Sequence, residues 1–129
     1  MPGSHTSATL VDVLTALREQ VTGVTESALS TVDGLLLAAD ADALHPESVA
    51  ALSATTLSVG RRMALEAGGG PLRDVLIRSA GRHIAVRAVG ARALLTVVGD
   101  DGLDLTGLRG EMARTVERLT AILDEDPAA

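Results

Sequence analysis

Ser48-Val49-Ala50-Ala51-Leu52-Ser53-Ala54-Thr55-Thr56-Leu57-Ser58-Val59-Gly60 carries no charged residue, and it is framed by Pro46-Glu47 on one side and Arg61-Arg62 on the other. Pro46 suits the first position of a helix, and the run predicts a central helix from Pro46 to about Glu66. On a helical wheel Val49, Leu52, Thr56, Val59 and Met63 share one sector, and Ala50, Ala54, Leu57 and Ala64 the opposite one. A surface helix has one apolar stripe, so two stripes predict burial on two sides. The Val49/Leu52/Val59/Met63 side is assigned to the chain's own sheet. The small-residue side, Ala50/Ala54/Leu57, is assigned to a partner helix. A helix of this kind points to association rather than to catalysis.

Outward from that helix, two strands precede it. Ser27–Val32 and Leu35–Ala39 are joined by Asp33-Gly34, a tight two-residue hairpin signal. Before them Leu10, Val13, Leu14, Leu17 and Val21 mark a helix over Thr9–Val21 that Gly23 ends. After the central helix, Gly68-Gly69-Gly70-Pro71 stops the chain, and three strands follow: Asp74–Ser79, His83–Val89 and Ala93–Val98. The last is apolar on both faces apart from Thr96 and is expected at the centre of the sheet, with Arg78 and Arg87 nearer an edge. Leu105, Leu108, Met112, Val116, Leu119 and Leu123 then mark a final helix. The fold class is α+β, with the order helix, two strands, helix, three strands, helix. Residues 1–8 are expected to be disordered or an expression remnant, 9–124 to form one domain, and 125–129 to be a disordered tail.

Composition narrows the function. The 129 residues suffice for one core. With no Cys there is no disulfide or thiolate chemistry. Phe, Tyr, Trp, Lys and Asn are absent, so no ring can stack on a nucleobase, and the net charge of −6 disfavours nucleic acid and anionic membrane. No apolar run spans a bilayer and no secretion signal is visible, so a cytoplasmic location without direct membrane insertion is expected. Charge is uneven: residues 61–92 hold seven Arg and two acids, between two acidic segments. That block is either a partner surface or, the plainer account, a set of solvated strand faces.

Chemistry-bearing constellations are sparse. His45 and His83 lack the spacing of a ligand or acid–base set. Asp100, Asp101 and Asp104 could gather a divalent cation, but they also spell a strand-to-helix turn and cap. The glycine triplet follows a helix and precedes no Lys, unlike a phosphate loop. No catalytic, cofactor-binding or metal-binding residue is assigned, no cofactor is expected, and the chain reads as a non-enzyme.

The element order, the Asp33-Gly34-Leu35-Leu36-Leu37-Ala38 hairpin, the small-residue helix and the run Gly-Gly-Gly-Pro-Leu-Arg-Asp-Val-Leu-Ile from Gly68 to Ile77 together resemble the roadblock family, which includes roadblock-type dynein light chains and bacterial regulators of small GTPases. The chain also looks like the single-domain actinobacterial members of that family. The resemblance implies a five-stranded antiparallel sheet with the first and last helices on one face and the central helix on the other. It implies a homodimer in which central helices pack together and edge strands, here Asp74–Ser79, join the sheets. The expected interface is Ala50, Ala54, Leu57, Ala64, Val75 and Ile77. The implied partners are a second copy, a small Ras-like GTPase and a sensor-kinase-like protein. Against this stands a sensory module that binds a small molecule between sheet and helices, with Arg73, Arg78 or Arg87 holding an anion.

Overall fold

The computed structural model describes residues 2–125. Three helices and five strands follow in the order α1 (Pro2–Gln20), β1 (Val24–Thr31), β2 (Leu36–Asp40), α2 (Pro46–Glu66), β3 (Val75–Arg78), β4 (Arg82–Val89), β5 (Ala93–Asp100) and α3 (Leu105–Glu125). The strands form one antiparallel sheet in the order β2-β1-β5-β4-β3. The fold is therefore the expected α+β one. β5 is central, as its two apolar faces require, and every residue from Ala93 to Gly99 is buried.

Two apolar layers sandwich the sheet. On one face α1 and α3 cover Leu29, Ala85, Val89, Leu95 and Val97, with Leu10, Leu14, Leu17, Leu108, Met112 and Leu119 supplied by the helices. On the other face α2 lays Leu57 against Val86 and Leu94, with Ala54, Leu72, Val75, Ile84 and Ala88 at the margin. With no aromatic ring available, both layers are filled by aliphatic side chains.

The structure departs from the expected boundaries at both ends and at the hairpin. α1 begins at Pro2 rather than Thr9, so residues 2–8, expected to be a disordered N-terminus or an expression remnant, stand within the helix, and Pro2 occupies its first position, where a missing N–H is harmless. α3 runs through Asp124 to Glu125. Met1 and residues 126–129, the rest of the expected termini, lie outside the described residues. The β1–β2 connection is longer than a two-residue turn. The Gly34 N–H donates to the Thr31 carbonyl at 3.0 Å, the Thr31 N–H donates to the Leu35 carbonyl at 2.8 Å, and Gly34 has φ +90°. That is a three-residue loop whose last residue is left-handed, a conformation glycine adopts without strain.

Candidate functional site

The entry to α2 is fixed by a residue that periodicity does not single out. Glu26 is buried within β1, and its Oε1 accepts the backbone N–H groups of Asp42, Ala43 and Leu44 at 2.6, 2.9 and 3.1 Å. Burial alone would raise its pKa. The three N–H bonds and the charge of Arg82, 4.0 Å from Oε2, outweigh that and hold the carboxyl below its ordinary value. The carboxylate thus gathers the loop that delivers Pro46 to the first turn of α2. The signal for it in the sequence was slight: the one charge in an otherwise uncharged strand.

Three further contacts set α2 on the sheet. Near its start, Gly34 of the hairpin comes so close that a Cβ there would stand 3.1 Å from Ala51 Cα. At its middle, the Thr96 hydroxyl of β5 donates to Ser53 Oγ at 2.6 Å, a buried pair that satisfies both groups. Toward its end, a Cβ at Gly60 would stand 2.8 Å from Val75 Cγ2 and 3.0 Å from Leu72 Cδ2. Glycine at that position lets the helix lie directly on the edge strand β3.

These contacts reverse the face assignment made from the sequence. Ala50 is 0% and Leu57 2% exposed, buried under the chain's own sheet, and Ala54 and Ala64 are partly buried on the same side. Leu52, Val59 and Met63 are instead 68%, 54% and 67% exposed. The physical reason is the short distance between helix and strands. Ala50, Ser53, Ala54 and Gly60 permit the approach, whereas a face of Leu52, Val59 and Met63 would hold the helix away. The small residues serve the intramolecular contact, and the larger ones are left outside.

The outward face is more apolar than its composition suggests. The Thr56 hydroxyl donates to the Leu52 carbonyl at 2.8 Å and that of Thr55 to the Ala51 carbonyl at 3.3 Å. Both hydroxyls are occupied by the helix itself. Charge returns at Arg62 and Glu66, which pair at 3.4 Å near the end of the helix. Beside this face runs β3, a four-residue strand at the sheet edge, paired with β4 on one side alone. Val75 packs under α2, and Ile77, on the same face of the sheet, is exposed. Of the expected interface residues, then, Val75 and Ile77 lie at the open edge, while Ala50 and Leu57 are enclosed.

The other candidates have local structural roles. Asp100 Oδ1 accepts the Gly102 N–H at 2.9 Å, and Asp104 Oδ1 accepts the Gly107 N–H at 3.0 Å, so these two carboxylates cap the turn and the start of α3. His45 precedes α2 in an extended conformation, with no side-chain cap bond. His83 opens β4. A cavity of about 310 Å³ lies where the β1–β2 turn, the β4–β5 turn and the last turns of α3 meet, lined by Val32, Leu37, Val89, Arg92 and Leu123 among others. Arg73, Arg78 and Arg87 do not line it. Among the described residues no helix is long and apolar enough to cross a membrane.

Comparison with known proteins agrees with this architecture. The chain is similar to a Roadblock/LC7 domain from Streptomyces avermitilis at 26% identity, with a TM-score of 0.80 over 86% of this chain and 94% of the other. It is similar in fold to the gliding protein MglB from Thermus thermophilus, at 20% identity and a TM-score of 0.84 over 94% and 93% of the two chains. An MglB solved with a tetrameric arrangement superposes with a TM-score of 0.85, also at 20% identity, over 93% and 91%. No curated protein matches the sequence. The family model described as Roadblock/LC7 domain matches residues 10–99, from Leu10 in α1 to Gly99 near the end of the central strand, and the chain belongs to that family.

Proposed function

We propose that this protein is a non-catalytic homodimeric interaction module that binds or regulates a small Ras-like GTPase in the cytoplasm. The observation that carries the reading is the outward face of α2: a helix surface uncharged as far as Gly60, with Leu52, Val59 and Met63 in solvent, alongside an open β3 edge. Soluble domains rarely leave contiguous apolar surface of that kind uncovered unless something docks there. A second copy fits it, since α2 can pack on α2 while β3 continues into a neighbouring β3. The interface would then comprise Leu52, Val59 and Met63 with Val75 and Ile77 at the edge. The tetrameric arrangement of one MglB supports self-association as a habit of this fold. The GTPase, and a sensor-kinase-like protein as further partner, rest on the family resemblance.

The test has two parts. Light scattering at tens of micromolar (about the range in which specific interfaces hold) should find a dimer, and a monomeric wild type would refute the self-association. A pull-down from native extract with and without a non-hydrolysable GTP analogue should recover a small GTPase; capture of none in either state would remove the GTPase from the reading. The sensory alternative has one observation in its favour, the cavity of about 310 Å³ at the end of the sheet. Its size is at the lower bound of small-ligand pockets, roughly 300 Å³. A large, saturable thermal shift with nucleotides or small acids would select that alternative.

A further inference from the structure

The α2 surface leaves the arginine-rich segment largely unexplained. Of its seven arginines, Arg62 is held by Glu66 at 3.4 Å and Arg82 lies 4.0 Å from Glu26 Oε2. Strand register places two others. Arg87 stands opposite Leu95, and His83 opposite Gly99, in the same alternation that puts Ala85 and Val89 in the core under α1 and α3. Arg78 stands opposite His83 and Leu76 opposite Ala85. Leu76, Arg78, His83 and Arg87 therefore share the face of the sheet opposite α2.

The helix layer on that face stops short of the edge. α3 packs on β4, yet Leu76 on β3 remains 36% exposed. Among the described residues the side chains of Arg78 and Arg87 take part in no ion pair or hydrogen bond, and His83 Nδ1 is buried without a hydrogen-bond partner. One acid adjoins it in the chain: Asp74 precedes β3, and one further step of the Val75–Val86 register would set it opposite Arg87 on the same face. The strip thus carries two arginines, Arg78 exposed and Arg87 half-buried, against one aspartate, with Leu76 between Arg78 and Asp74.

We propose that this strip is the docking surface for a short acidic segment of a partner protein, one that alternates carboxylates with aliphatic side chains. The carboxylates answer Arg78 and Arg87, and the aliphatic positions lie on Leu76. A nucleic acid or an anionic membrane fits less well. Either presents a broad negative field to a chain of net charge −6 that has no stacking ring, whereas a short peptide meets the strip alone. The surface is independent of the proposed dimer, because α2 lies on the other side of the sheet and pairing of β3 edges leaves this face open.

The probe is a short fluorescent peptide of alternating Glu and Leu, titrated with the full-length protein and followed by anisotropy. Saturable binding is expected. It should weaken about tenfold or more in Arg78→Glu/Arg87→Glu and at high salt, where exposed charge pairs are screened, and persist in Arg61→Glu. Circular dichroism and sedimentation of each variant separate loss of docking from loss of fold or of self-association. If the double Glu variant fails to fold, Arg78→Gln/Arg87→Gln takes its place. Unchanged affinity in the folded double variant, equal binding of a Lys-Leu peptide, or tighter binding of duplex DNA or phosphatidylserine vesicles than of the acidic peptide would each overturn the proposal.

Discussion

Glu26 concentrates much of the local design in one side chain. Its carboxylate is stabilised in the folded state, so its pKa is lowered on folding, and its contribution is complete above the ordinary glutamate value of about 4.3 and lost as pH falls through the folded value. Glu26→Gln should therefore be less stable than wild type at neutral pH by roughly 1–3 kcal/mol, the cost of weakening a buried, charge-assisted set of bonds. The gap should narrow in acid. Urea titrations between pH 7 and pH 3 check this, and parallel curves for the two proteins would refute it. The Ser53–Thr96 pair makes a second case. Thr96→Val leaves Ser53 Oγ buried without Thr96 as its partner and should cost about 1–3 kcal/mol, whereas adding Ser53→Ala should recover part of that loss, because the hydroxyl orphaned by the first change is then gone.

At the scale of the element, α2 shows what could be read from the chain and what could not. Its limits, Pro46 and Glu66, follow from the proline, the uncharged run and the glycines beyond it, and the structure reproduces them. The central place of β5 follows just as directly from its apolar run, interrupted by Thr96 alone between Ala93 and Val98. The facing of α2 did not follow, because hydrophobicity ranks Leu52, Val59 and Met63 as core while helix-on-sheet distance decides in favour of Ala50, Ser53 and Gly60. That distance is a property of the packed pair, and a wheel drawn for one helix does not contain it. Glu26 escaped for a similar reason: its three partners are backbone groups of a loop with no periodicity. Substitutions on the two faces should now separate. Leu57→Arg should prevent folding, whereas Leu52→Arg and Val59→Arg should fold and lose self-association, as followed by circular dichroism and light scattering. Gly60→Leu should push the helix from Val75 and Leu72 and cost about 1–3 kcal/mol in urea unfolding, the range for overpacking.

For the whole molecule, the sheet divides the labour. One side carries α2 and the surface proposed for self-association. The other carries α1, α3 and the strip of Arg78 and Arg87 at its margin. The two edges also differ. β3 is open, whereas β2 lies against both α1 and α2, and its last residue, Asp40, is tied to Arg18 of α1 at 2.6 Å. The β2 edge is thus held from both faces of the sheet, and the β3 edge from the α2 face alone. Pairing about a two-fold axis at β3 would use up the β3 edges of both copies, and a two-fold contact of that kind closes on itself instead of propagating.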